Sequence, residues 1–206
     1  HCWVCNIKGR SVSRLIQRFR PEFAKEYILK YGNKNILLDF EEAPIEKAVL
    51  PEDFKLVIEN LWDPDALAIK KYANRRQISD TMLWRYRIGY SSKQGFRRRM
   101  IIPSFDSSGN LNYWVARTIQ SGNPIRYINA KVPKTSMIFN EIDIDWTSML
   151  FLVEGPVDMM KSPMNSTCIL GSSLQPGDKL FNEIVLNKIP VILCLDPDAK
   201  LKQSKI

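Results

Sequence analysis

No apolar run in this chain of 206 residues approaches the roughly twenty that a bilayer-spanning helix needs, so no membrane role is expected. Cysteine is scarce, with four residues in all, which sets aside a disulfide framework and fits a reducing cytosol. Histidine is scarcer still, because His1 stands alone. Apart from the first two thiols, nothing before Cys168 except His1 could complete a tetrahedral metal site, so zinc held at the start of the chain would have only half its ligands there. An initiator methionine is missing as well. The chain opens on His1 and stops at Ile206, soon after its last acidic motif, and it reads as an internal fragment of a longer protein.

Positive charge is what the chain has in excess. A formal charge of +8 and a pI near 9.3 point to an anionic partner, a merely soluble basic surface being the plainer alternative. Basic residues gather at Arg75-Arg76, Arg85, Arg87 and Arg97-Arg98-Arg99, with Trp84, Tyr86, Tyr90 and Phe96 between them. That mixture suits nucleic acid, since cations neutralise phosphates and aromatic faces stack unpaired bases.

Cys2 and Cys5 have the spacing that lets two thiolates reach one zinc ion. Half a zinc ribbon, a redox pair and two unremarkable thiols compete. A redox pair should open a helix after a strand in a thioredoxin-like pattern, which is absent, and the half ribbon is favoured. Cys168 and Cys194 lie in apolar runs and are expected in the core. Val12, Leu15, Ile16 and Phe19 mark one face of a first helix, and a second opens at Pro21 and closes at Gly32. From Asn33 to about Pro51 the periodicity fades, as in a tether. Asp63 and Ser79 each read as the cap of a helix, with Pro64 at the first helical position after Asp63. Residues 99–105 and 111–118 are β-rich and joined by Asp106-Ser-Ser-Gly109-Asn, a hairpin turn.

The most informative stretches are two strand tips. Leu150-Phe-Leu-Val is an apolar run that ends in Glu154-Gly155, and Pro190-Val-Ile-Leu-Cys-Leu195 ends in Asp196-Pro-Asp198. Taken singly, such acids are more often helix caps or turn formers. If the strands are neighbours, however, Glu154, Asp196 and Asp198 converge at the carboxyl ends of a sheet, where ligands bind. Hard oxygen donors of this kind suit Mg²⁺ or Mn²⁺. Residues 166–173 predict a further strand and a small-residue loop whose N–H groups could approach a phosphate, a plain strand-to-helix turn being the alternative, and residues 178–187 predict a helix.

The order Glu-Gly, then Asp-x-Asp, resembles the Toprim fold of bacterial-type primases, topoisomerases and related nucleases. The preceding stretch, with its Ile-Ser helix start, Ile88-Gly89-Tyr90, Arg99-x-x-x-Pro103, Arg117 and Arg126-Tyr127-Ile128-Asn129, is similar to the catalytic subdomain of bacterial-type (DnaG-like) primases. The resemblance implies an α/β protein: a mostly parallel Toprim sheet flanked by helices over 148–206, truncated, and an α+β primase subdomain over 63–147. A helical or linker segment over 21–62 and the tail of a zinc ribbon over 1–20 precede them.

It also implies the roles. Glu154, Asp196 and Asp198 would be catalytic and hold Mg²⁺ or Mn²⁺, while Cys2 and Cys5 would hold Zn²⁺ in an incomplete site. Arg99, Arg117, Arg126, Tyr127 and Asn129 would bind nucleic acid or nucleotide, a packed ring and a turn amide being the alternative for Tyr127 and Asn129. Gly155 and Asp158 would support the metal ligands. The family's usual Lys is Arg126 here, its usual Asp-Gly-Asp is Asp-Pro-Asp, and Lys131 and Lys134 are unproven stand-ins for a second nucleotide-gripping lysine. The implied activity is DNA-dependent RNA primer synthesis. Its implied partners are a single-stranded DNA template, ribonucleoside triphosphates and a replicative helicase, in the cytoplasm, or in a host cytoplasm if the short loops mean a phage member. A Toprim nuclease or topoisomerase and a catalytically silent nucleic-acid-binding module are the rivals.

Overall fold

Asp106 organises the long hairpin at the centre of the molecule. Its carboxylate accepts the backbone N–H groups of Ser108 and Asn110, both at 2.9 Å, and Gly109 supplies the positive φ of 82° that closes the turn. These bonds also hold the Asp106 carboxyl below its ordinary range. The hairpin strands are β3 (Arg99–Phe105) and β4 (Leu111–Thr118), paired antiparallel with a register shift at Ser104/Phe105. A computed structural model describes residues 12, 16, 20–31, 47–171 and 174–196.

Around the hairpin lies a five-stranded antiparallel sheet in the order β1-β2-β3-β4-β5, completed by β1 (Lys55–Leu56), β2 (Gly89–Tyr90) and β5 (Tyr127–Asn129). Gly89 has no alternative there, because a Cβ would lie 2.2 Å from the Phe54 ring and 2.6 Å from the Lys55 carbonyl oxygen. A three-stranded parallel sheet follows in the order β7-β6-β8, from β6 (Leu150–Val153), β7 (Ser166–Cys168) and β8 (Val191–Cys194). The mixed α/β architecture expected from the sequence is therefore present.

The helices start where their caps dictate. α1 spans Pro21–Tyr31, α2 spans Pro64–Arg75 and α3 spans Asp80–Arg85. The Asp63 carboxylate accepts the Asp65 N–H at 2.8 Å, and Ser79 Oγ accepts the Met82 N–H at 3.2 Å. Asp63 also accepts the Tyr90 hydroxyl proton at 2.9 Å; burial and this bond together push the Tyr90 phenol up to about 12. α4 (Pro156–Lys161) and α5 (Lys179–Asn187) lie on opposite faces of the parallel sheet. Alternation along β6 sends Val153 into one core with Val157, Met159 and Met160 of α4, and Leu150 and Leu152 into another with Leu180.

The first of these cores is shared. Val153 and Cys168 belong to the same cluster as Ile101, Tyr113 and Phe139 of the antiparallel region. Thr167 Oγ1 donates to the Phe139 carbonyl at 2.6 Å, and Lys179 pairs with the buried Glu141 at 2.7 Å, so polar ties cross the same boundary.

Several expectations change. The tether ends sooner than Pro51: Ala48 and Leu50 pack on the main core, and the Val49 carbonyl accepts the Trp114 indole N–H at 2.8 Å. β1 and the fully buried Val57 likewise lie inside the 21–62 segment that reads as helical linker. Tyr86 and Tyr90 are buried and Phe96 packs edge-on against Trp114 at 5.6 Å; of the interleaved aromatics only Trp84 offers an exposed face. Burial pushes the Cys168 thiol up, as a core position should, but Cys194 is exposed because β8 alternates half-buried and exposed residues. Cys2, Cys5, most of the first helix and Asp198 lie outside the described residues. Among the described residues no helix is long and apolar enough to cross a membrane.

Candidate active site

Register decides which arginines meet. Directly opposed residues in an antiparallel pair project to one face. Arg99 stands opposite Thr118, whereas Arg117 stands opposite Met100 on one side and Tyr127 on the other. Arg117 and Arg99 therefore emerge on opposite faces. Val115 and Asn129, also opposed, share the face of Arg117 and Tyr127. A cavity of about 480 Å³ opens along this face, lined on one side by Val115, Arg117, Tyr127 and Asn129 together with Arg76 and Arg126.

The opposite wall comes from strand ends. β6 and β8 pair in parallel with Val153 level with Cys194, so Glu154 and Asp196 leave adjacent strands about 5 Å apart at nearly the same height. Both line the cavity, with Gly155, Asp158, Leu170 and Gly171. The Gly171 N–H donates to the Glu154 carbonyl at 3.3 Å, tying the loop after β7 to the tip of β6. Gly155 is extended at φ −137°, and Asp158 Oδ2, on the first turn of α4, lies 3.4 Å from where a Cβ would stand, an ordinary contact distance, which places that carboxylate beside the Glu154-Gly155 tip.

The arginine wall is stacked and bonded. Arg117 Nε donates to the Tyr72 hydroxyl at 2.7 Å and an Nη1 proton goes to the Tyr127 hydroxyl, while the guanidinium lies 5.1 Å from the Tyr127 ring centre. Arg76 lies in turn over Tyr72 at 5.6 Å. Burial raises the Tyr127 phenol above its ordinary value, with Arg117 opposing and Asp158 reinforcing the shift, so the two walls are within electrostatic reach.

Not every expected residue joins them. Arg99 is 5% exposed, donating from Nε to the Gly95 carbonyl at 3.0 Å and from Nη2 to the Ile125 carbonyl at 2.9 Å. Its Nη1 is buried with no hydrogen-bond acceptor, and burial lowers its pKa. Its geometry is that of a staple behind the loop leading to Arg126. Lys134 donates to the Leu170 carbonyl at 2.8 Å and, like Lys131, does not line this cavity. Conversely Arg76 and Tyr72 were not singled out by any motif; only the basic Arg75-Arg76 pair at the end of a capped helix hinted at the former.

Carboxylate oxygens from Glu154, Asp158 and Asp196, without thiolate or imidazole, fit Mg²⁺ or Mn²⁺ in kind. Among the described residues no three such groups gather closely enough to form a ligand set by themselves. The cavity volume is that of a small-molecule site, within the range of about 300–1,000 Å³. Acids facing guanidinium groups across it suit a phosphate bridged to one wall by a divalent cation and to the other directly.

No protein-family model matches the chain, and no curated protein matches it in sequence. Solved structures do. The fold is similar to the RNA polymerase domain of Mycobacterium tuberculosis primase DnaG, with TM-score 0.59 and 15% identity over 72% of this chain and 65% of that one. It is similar to the zinc-binding and RNA polymerase domains of the Aquifex aeolicus primase, with TM-score 0.55 and 20% identity over 99% of this chain and 62% of that one. A DnaG primase catalytic domain bound to single-stranded DNA matches with TM-score 0.52 and 18% identity over 66% of this chain and 58% of that one. The chain thus spans about three fifths of its neighbours' length, and the likeness is one of fold: a DnaG-like primase core.

Proposed function

We propose that this chain is the catalytic part of a DNA-dependent RNA primase of Toprim type, joining ribonucleotides on a single-stranded DNA template. One observation carries the reading: within a DnaG-like fold, the acids at the ends of β6 and β8, Arg117 of β4 and Arg126 just before β5 line one cavity. Glu154 and Asp196, with Asp198 beyond the described residues, would hold Mg²⁺ or Mn²⁺, which when bound supplies charge neutralisation at the attacked phosphate and a lowered hydroxyl pKa. Arg126 and Asn129 hold the nucleotide against the acid wall. Tyr127, half-exposed and stacked under Arg117, gives a face for a base. Glu154 is a ligand or the local acceptor of the 3′-hydroxyl proton.

Zn²⁺ at Cys2 and Cys5 belongs to the same reading, supported by the neighbour with a zinc-binding domain that overlaps 99% of this chain. A replicative helicase is the partner such an enzyme would need. Glu154→Gln is expected to abolish labelled dinucleotide synthesis on single-stranded DNA while leaving DNA binding within about twofold. Cleaved DNA in place of oligoribonucleotides would indicate a nuclease or topoisomerase. Binding indifferent to Mg²⁺ with no nucleotide incorporation would indicate a silent module.

A further inference from the structure

Trp84-Arg85-Tyr86-Arg87, part of the basic and aromatic mixture in the sequence, does not line the cavity. It stands at the end of α3, where Arg85 reaches two other segments. Its Nη2 pairs with Asp143 at 3.2 Å, in the short 3₁₀ turn Glu141–Asp143, and its Nη1 donates to the Met164 sulfur at 2.8 Å. Met164 and Asn165 lead into β7, and Asn165 Nδ2 donates to the Met149 carbonyl at 2.8 Å just before β6. These are the amino ends of the parallel strands. Glu154 and Asp196 follow the carboxyl ends, so the catalytic cavity opens on the opposite edge.

The side chains around Arg85 are apolar and open to solvent. Trp84 is 49% exposed, Ile142 48% and Met164 67%. The Ile142 Cδ1 lies 3.9 Å from where a Gly109 Cβ would stand, so the patch reaches the hairpin turn, and Arg87 borders it over the Phe105 ring at 4.8 Å. Trp, Met and Arg are over-represented where proteins meet, and a thioether adapts its shape to a partner. Nucleic acid fits the patch poorly: Asp143 neutralises Arg85, and isoleucine and methionine stand where phosphates would need further cations. An acidic partner fits better. The Arg85 Nη1 proton rests on a thioether, a weak acceptor that a carboxylate would displace, and among the described residues Arg87 forms no ion pair.

We propose that Trp84, Ile142 and Met164, with Arg85 and Arg87, form a docking surface for an acidic amphipathic helix of a partner protein, on the edge of the molecule opposite the catalytic cavity. The patch is built from a helix end, a 3₁₀ turn and a loop, none of which offers the row of main-chain groups that an extended peptide pairs with. A helix satisfies its own main chain and needs only an apolar face and flanking charges. Its apolar stripe covers the tryptophan, isoleucine and methionine, and its carboxylates reach the two guanidinium groups. The surface stands whether or not the cavity makes RNA.

The probe is a fluorescein-labelled helical peptide with leucines along one face and glutamates along the other, titrated with the full chain and read by anisotropy. Binding should weaken as salt is raised. Trp84→Ala should weaken it about tenfold or more, as expected for a buried anchor, and Arg87→Glu by a similar factor, while single-stranded oligonucleotide binding stays within about twofold. Trp62→Ala, at a tryptophan 77% exposed elsewhere on the surface, should leave the peptide affinity unchanged. Should Trp84→Ala fail to fold, the exposed Arg87→Glu decides alone. No binding by the unmodified chain, equal affinity for a peptide with lysines in place of the glutamates, or unchanged affinity in the folded variants would each overturn the assignment. So would an oligonucleotide affinity lost in Trp84→Ala, which would give the patch to nucleic acid, or a self-association in sedimentation that Trp84→Ala abolishes, which would give it to a second copy of the chain.

Discussion

Arg117 and Glu154 reach one cavity by different routes. In the antiparallel sheet a residue arrives in the cavity from mid-strand, and which face it joins depends on register: one position along β3 or β4 separates a cavity side chain from a buried one. In the parallel sheet residues arrive from strand tips, and any acid placed after the last apolar residue points into the crevice. The first arrangement binds through a surface that packing must fix residue by residue. The second needs only that the strands be neighbours, and β6 and β8 are.

The contrast is tested most severely at a strand tip. Asp196→Asn removes charge from an exposed position, so dinucleotide synthesis should fall about a hundredfold or more while unfolding free energy moves by no more than about 0.5 kcal/mol. An equal collapse of stability, read from denaturant midpoints, would make the acid structural.

Arg99→Ala probes the hidden face. Deleting the guanidinium leaves the Gly95 and Ile125 carbonyls without their donor, and stability should drop by about 1–3 kcal/mol, with faster amide exchange across residues 120–126. Intact stability with weakened nucleic-acid binding would return Arg99 to the phosphate-holding role that its sequence position implied.

The smallest effect is expected at Tyr90. Its folded pKa of about 12 against an ordinary 10.0 means that the neutral phenol is favoured by folding. That stabilisation is complete below pH 10 and is lost as pH rises through about 12. Tyr90→Phe should cost about 1 kcal/mol at neutral pH and flatten the loss of stability between those limits. A variant whose alkaline curve matches that of the unmodified chain would show that neither burial nor the Asp63 bond raises the Tyr90 phenol.

Legibility in the sequence followed the same division. The strand before Glu154, the strand before Asp196, the Asp63 and Ser79 caps and the Asp106 turn could each be read locally, because an apolar run, a capping oxygen and a glycine act over a few residues. Arg99 could not. It sits in a basic run beside Arg97 and Arg98, and composition is the same whether a guanidinium faces solvent or two carbonyls; only pairing with Thr118 separates it from Arg117. Tyr86 and Tyr90 were similarly indistinguishable from stacking platforms until the sheet buried them. Arg76 was opaque for a third reason: its approach to Arg117 depends on how a helix docks, through Tyr72, against a strand some forty residues away.

The core common to both sheets has a mechanical consequence. Val153, Val157, Met159 and Met160 share one apolar cluster with the antiparallel hairpin, and fully exposing each would cost about 1.5–3 kcal/mol. Jaws anchored in the same block cannot swing apart as hinged bodies without that expense, so their separation is fixed before any ligand arrives. Entry and release must then rely on side chains and rim loops, and turnover should be insensitive to solvent viscosity in the way that a gate-limited enzyme is not.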